Sequence, residues 1–402
     1  MTSVLEHHRK LSRDLGVRSD LGGQYRTGLA QRIGLRPGHI VSTAEHIAPF
    51  NVADSASFLL PQMLLGSEGA PVIHLLGGAL VPLDNRQYPR GFFAPGPTLP
   101  RHRANLFPQT LRKASPLLLP PVSFSPLDRL GLPDGVTAAL EASAGAEHGN
   151  YAEQLCAARE VMTAAWRLQS PRQPVVKVWP LEAVAADLLI SLLDVRAAAV
   201  MALLFDTRLR AELALRLSGV FCAWGENHGS FLFWGCRNHR LVRLFEHDQI
   251  LQGDGIAVPI QPDTVAAALA AGTIRPGVYL SMMLVSYLPD VPVSGGPKQD
   301  HYLRKMIAVT NDLLGMARSP DLSTVGYMTI DATQLPVAGT QPAGTLQPYG
   351  IGLDIMMRGV ARDVALNRLA ALPVARLSGS RTRRRREHGS SPRAASCRTG
   401  RH

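Results

Sequence analysis

Two apolar runs bracketing a helix-like stretch constrain this chain more than any other feature. HIVSTA (39–44) reads as a strand, ADSASFLLPQMLLG (53–66) as a short helix and PVIHLL (71–76) as a second strand. Strands joined by a helical crossover pair in parallel, and the crossover is right-handed in nearly all cases. This βαβ unit therefore predicts a parallel sheet. Pro61 sits inside the helix-like stretch, where it removes a hydrogen bond and kinks the chain.

The rest of the chain extends the pattern. PVVKVW (174–179), valines and an aromatic bounded by prolines, predicts a further buried strand. Helical stretches are predicted from Pro133-Asp134, over 151–169 and over 181–218. GSFLFWGCRNHRLVRLFEHD places apolar runs 230–234 and 241–245 around Asn238, which tolerates the left-handed conformation of a tight turn. That predicts an inserted β-hairpin. QPDTVAAALAAGTIRPG gives a helix start at Asp263 and a Gly272 stop, whereas VYLSMMLVSYL (278–288) suits a buried helix or a strand equally. Residues 83–126, rich in proline and arginine, predict an extended, irregular insert.

Composition bounds the class. Hydrophobic residues make up 46% and charged residues 18% of the 402, which excludes wholesale disorder. The start, MTSVLEHHRKLSRDLG, is charged from Glu6 and lacks the apolar core of a secretory signal, so no export is expected and the cytoplasm is the expected compartment. The apolar segment 183–205 carries Asp187, Asp194 and Arg196, which suits a buried helix better than a membrane span, and no membrane partner is expected. Four cysteines without a CxxC suggest neither a disulfide framework nor a cysteine zinc site. Of the net charge of +11, residues 376–402 supply nine arginines against Glu387, or +8, leaving +3 for the body. The arginine-rich tail, without apolar period, is expected to be disordered and able to contact phosphates or nucleic acid nonspecifically.

Four places nominate chemistry. STAEHIAPFNVAD (42–54) follows the first strand, so Thr43, His46 and Asn51 would face the crevice where α/β sheets collect ligands. An imidazole there suits acid–base work or a phosphate contact; an idle loop histidine is the plain alternative. After the second strand, Gly77 and Gly78 precede Asp84, Asn85 and Arg90, and paired glycines permit either close backbone approach to a ligand or merely a sharp turn. In the hairpin, a turn at Arg237 and Asn238 would set His228 opposite His247, with Glu226 and Asp248 nearby. That is a weak candidate for a metal pair beside the reading of two solvent-facing histidines. VSGGPKQDHYLRKM (293–306) frees the backbone at Gly295 and Gly296, starts a helix at Pro297, and offers Lys298, Asp300, His301, Tyr302 and Lys305. Helix-start geometry alone also explains it. No G-x-G-x-x-G and no Walker loop is present, so neither the dinucleotide nor the P-loop fingerprint applies, and the sequence leaves the cofactor unknown.

The first and last of these places carry a resemblance. IVSTAEH and RPGVYLSMMLVSYLPDVPVSGGPKQDHYL resemble the two regions in which the bacillithiol synthase family of cysteine-adding enzymes has a T-G-Q-Q loop and a G-G-P-G-E-x-x-Y segment. Thr43 matches the start of the first, and Gly295, Gly296, Pro297 and Tyr302 match the second. Ala44, Glu45 and His46 stand in place of Gly-Gln-Gln, Lys298-Gln299 in place of Gly-Glu, and that family's coiled coil has no counterpart. The resemblance implies a nucleotidyltransferase-like Rossmann core and a condensing, ligase-like reaction on an amino-bearing metabolite.

The expected fold is thus α/β, a mostly parallel Rossmann-like sheet with flanking helices. An N-terminal helical extension (1–30), a core (31–370) and the tail (376–402) complete it. The expected function is an enzyme of small-molecule, specialised-metabolite biosynthesis, ligase- or transferase-like. It would take a polar, anionic or amino-bearing substrate, with His46 and Tyr302 as catalytic groups and Thr43, Asn51, Asp84, Asn85, Gly295, Gly296 and Lys298 as substrate contacts. The alternative is a noncatalytic accessory or host-interaction protein of a bacterial, plant-associated pathway, a setting that the arginine- and alanine-rich composition of a high-GC genome would fit.

Overall fold

Five parallel strands organise the chain. The computed structural model describes residues 20–37, 39–43, 47, 72–83, 92–93, 103–104, 108–124, 134–169, 175–220, 231–288, 291, 293–295, 299–315 and 328–329. Helix α1 (Asp20–Ile33) ends at Gly34, whose φ of 65° is the left-handed conformation that stops a helix, and leads to β1 (Ile40–Ser42) and β2 (Val72–Gly77). Short strands β3 (Phe92–Phe93) and β4 (Arg103–Ala104) pair with each other, and 3-10 turns follow at Gln109–Leu111 and Pro116–Leu118. Next come α2 (Asp134–Gly145), α3 (Tyr151–Gln169), β5 (Val175–Pro180), α4 (Leu181–Asp194), α5 (Ala198–Phe205) and α6 (Thr207–Leu217).

A β-rich segment follows: β6 (Phe233–Arg237), β7 (Arg240–Val242), β8 (Phe245–His247), β9 (Ile250–Gly253) and β10 (Ile256–Pro259). Helix α7 (Pro262–Ala270), β11 (Ile274–Pro276), α8 (Val278–Met282) with a π-helical turn at Met283–Tyr287, β12 (Val293–Gly295), α9 (Gln299–Leu313) and β13 (Met328–Thr329) complete the described chain.

The main sheet runs β13-β12-β1-β2-β5 with every neighbouring pair parallel. The fold is therefore mixed α/β. Both faces of β2 are covered, as parallel sheets require: Ile73 and Leu75 pack with Tyr151, Leu155 and Cys156 of α3, while Leu76 joins Val41, Tyr25 and Leu29 of α1, and Leu188 and Leu189 of α4. Full burial of each such leucine or isoleucine stabilises by about 1.5–3 kcal/mol. At the edge of β5, the Val178 N–H donates to Glu160 Oε1 of α3 (2.8 Å), so a side chain closes the ladder where no strand among the described residues does.

The stretch 181–218 is three helices rather than one. The breaks fall at Arg196 (φ 50°) and at Asp206, whose carboxylate accepts from Leu209 N–H (3.0 Å) and caps α6. No single helix among the described residues is long and apolar enough to cross a membrane; α4 and α5 would suffice only together, and they are bent by 104° at their break. The ambiguous VYLSMMLVSYL is helical over 278–287 and buried except for the half-buried Val278. Its Tyr279 and Tyr287 hydroxyls meet Thr310 and Asn311 of α9, which satisfies polar atoms deep in the core.

The single hairpin expected near Asn238 is the first of three. Turns Asn238-His239, Asp248-Gln249 and Asp254-Gly255 all hold positive φ at both positions, the geometry that matches strand twist in two-residue hairpins. Gly235 pairs with Val242 and Arg237 with Arg240, so the turn lies one residue beyond the Arg237–Asn238 expectation. β7 then ends at Val242 and His247 faces Ile250 on β9, so the register that would have opposed His228 and His247 does not hold. A bidentate pair, Arg210 Nη2 to Glu246 Oε1 (2.7 Å) and Nε to Oε2 (3.2 Å), ties this segment to α6.

The insert 83–126 is mostly irregular where described but includes β3, β4 and the two 3-10 turns. Helix α1 runs past the expected boundary at residue 30 and packs in the main core, so that part of the helical extension is not separate from the body. The helix expected over 53–66 and the tail 376–402 lie outside the described residues.

Candidate functional site

Because all five strands are parallel, their C-terminal ends share one rim, where Thr43, Gly77, Pro180 and Gly295 sit. From β1 the chain steps outward through β2 to β5, while β12 and β13 lie on β1's other side. The direction of winding therefore changes between β1 and β12. At such a point the connections diverge and leave a crevice outside the strand ends.

Across that point the two nominated segments meet. Thr43 Oγ1 donates to Gln299 Oε1 (3.2 Å), and Gln299 Nε2 donates to the Thr43 carbonyl (2.7 Å), 256 residues apart in sequence. Both residues are buried. The reciprocal pair pins the first residue of α9 to the end of β1. It also occupies the Thr43 hydroxyl, so Thr43 is positioned to hold the rim together rather than to donate to a ligand.

Gly77 answers the question posed by its pair. A Cβ there would stand 2.5 Å from Ile47 Cγ1, and Ile47 N–H donates to the Gly78 carbonyl (2.8 Å). The close approach that glycine permits is thus taken by the chain's own loop as it returns from β1 over β2.

One rim residue escaped the sequence reading. Glu182 lies in the first turn of α4, immediately after β5, and is buried; its Oε2 accepts from Ala79 N–H (2.7 Å) just beyond Gly78. Burial pushes its carboxyl up to about 7, against the pull of backbone N–H groups of Ala79, Glu182 and Leu80 that favour the ionised form. An acid embedded in the apolar run WPLEAVAADLL, at a helix start, was the available signal.

Tyr302 sits in the first turns of α9, 6% exposed, with its ring in the main core beside Leu303 and Met306, while Lys305 is exposed. Gly295 ends β12, paired with Thr329. His46, Asn51, Asp84, Asn85, Arg90, Gly296, Lys298, Glu226 and His228 lie outside the described residues. Among the described residues no three His, Cys, Asp or Glu side chains are grouped to hold a metal ion. The chain matches no protein-family model, and no curated protein matches it.

Proposed function

We propose that this chain is an enzyme of small-molecule metabolism, ligase- or transferase-like, that takes a polar substrate, anionic or amino-bearing, into the crevice between the ends of β1 and β12. What supports this reading is the reciprocal Thr43–Gln299 pair at the point where the strand order reverses, because open α/β sheets collect ligands outside the strand ends at that point. On this reading the sheet is Rossmann-like. His46, between Thr43 and Ile47 in the sequence, serves as acid–base or phosphate contact. The Gly295–Gly296 backbone cradles an anion, Lys298 supplies charge, and the Tyr302 hydroxyl orients the substrate. Thr43 and Gln299 position the two segments. The compartment proposed is the cytoplasm, and the family resemblance in the same two segments adds support.

The test is a thermal-shift screen of the full chain against nucleotides, amino acids, amino sugars and anionic metabolites. A ligand present at about 100 times its Kd stabilises the folded state by about 2.7 kcal/mol and raises Tm. The expected result is a hit whose shift is lost in Lys298→Ala and His46→Ala but kept in Tyr302→Phe for binding, with turnover lost in Tyr302→Phe. No hit across the panel, or a hit indifferent to both Lys298 and His46, overturns the reading.

A further inference from the structure

Running from the residue before β1, across β2, to the end of β5, two imidazoles and an indole form a hydrogen-bonded chain. Trp179 Nε1 on β5 donates to His74 Nδ1 on β2 (3.3 Å), and His74 Nε2 lies 3.0 Å from Nδ1 of His39, the residue before β1. The two rings stack with centroids 5.1 Å apart. His39 Nδ1 also receives the Arg36 N–H (3.3 Å), closing the turn that joins α1 to β1. An indole nitrogen only donates, so His74 Nδ1 must be bare and its proton must sit on Nε2, aimed at His39. His39 Nδ1 is then a bare acceptor shared by two donors. The chain is complete only with both imidazoles neutral.

We infer that Trp179, His74 and His39 form an acid-released latch, which holds the α1–β1 connection on the sheet at neutral pH and frees it when either imidazole gains a further proton. A proton added to His74 Nδ1 would face the indole N–H, donor against donor. One added to His39 Nδ1 would face both the Arg36 N–H and the His74 Nε2–H. The surrounding charges oppose protonation as well: Arg36 lies in the same turn, and Lys177, opposite His74 in the strand register, is itself paired with Glu160 of α3 (3.5 Å). Burial, then His39 and Lys177, lowers His74 to about 4, and burial, then Arg36, lowers His39. The latch is therefore closed at neutral pH and opens in acid.

The experiment reads imidazole nitrogens by NMR and amide exchange by segment in the full chain, between about pH 7.5 and about pH 4.5, with His39→Asn and His74→Gln assigning the signals. At the higher pH, His74 should carry its proton on Nε2. On acidification, exchange of residues 36–42 should rise about tenfold or more relative to α7, the internal reference for both intrinsic rate and global unfolding. His39→Asn should show that faster exchange already at the higher pH and no further step. The Nδ1–H tautomer of His74 at neutral pH overturns the inference, as does wild-type exchange of 36–42 that tracks α7 throughout. Unchanged protection in a folded His39→Asn overturns it equally, and the wild-type readings decide the matter if that variant does not fold.

Discussion

At the scale of single residues, burial shifts Glu182 and His74 in opposite directions, raising the carboxyl and lowering the imidazole. For Glu182, the pKa of about 7 lies above the ordinary 4.5. Between these values the unfolded chain has released a proton that the folded chain retains, so the stability this group contributes is complete below about pH 4.5 and is lost as pH rises through about 7. At about 1.4 kcal/mol for each tenfold change in proton activity, the loss is about 3 kcal/mol. His74 works in the opposite sense: lowered from 6.5 to about 4, it contributes stability that is present above about 6.5 and lost as pH falls through about 4. Over the shared interval the two slopes oppose each other. Glu182→Gln, which keeps an oxygen for the Ala79 N–H, should therefore gain stability relative to wild type as pH climbs from about 5 to 8, while His74→Gln should gain relative to wild type as pH falls from about 6.5 to 4. Urea midpoints across pH check both. Difference curves that stay flat would mean that these groups ionise as they do in water.

At the scale of elements, the join between β1 and α9 depends on one amide. Gln299→Leu removes the two hydrogen bonds to Thr43 and leaves the Thr43 hydroxyl and carbonyl buried without that partner, a cost of about 1–3 kcal/mol. Thr43→Val takes away only the hydroxyl and should cost less. The double variant should be less destabilised than the sum of the two, because the second substitution removes a polar group that the first had stranded; chemical denaturation of the four proteins measures this coupling. This join also marks the limit of what the sequence could disclose. Strands β1, β2 and β5 were legible because β-branched runs bounded by turn residues announce them, and α7 was legible from Asp263 and Gly272. The breaks around α5 were not, since Arg196 takes a positive φ without being glycine and Asp206 caps a helix from within an otherwise continuous periodic run. The hairpin turn was misplaced by one residue because Asn238 and His239 both accept the left-handed region, and nothing in the flanking runs fixed the register against the alternative. The site was legible only as two separate polar segments. Their convergence rests on contacts 256 residues apart, which no local period encodes, and Glu182 was concealed by the apolar helix that carries it.

At the scale of the whole molecule, charge is partitioned more sharply than structure. The body's +3 is too small to attract a polyanion strongly, whereas residues 376–402 concentrate +8. If the tail contacts nucleic acid through phosphates, affinity must fall with salt in proportion to the phosphates neutralised, because each contact releases condensed counterions. The full chain should then bind a fluorescent single-stranded oligonucleotide at low salt without sequence preference. Replacing Arg383, Arg384, Arg385 and Arg386 by serine should weaken that binding and reduce the slope of log K against log salt by roughly three, at about 0.7 per phosphate contact. The same replacement should leave any ligand shift at the β1–β12 crevice intact, since none of the residues nominated for that crevice lies in 376–402. Anisotropy titrations at several salt concentrations measure the slope. A slope that survives the replacement would move the polyanion contact onto the near-neutral body, and binding that depends on sequence would require readout of base edges that a run of arginines does not supply.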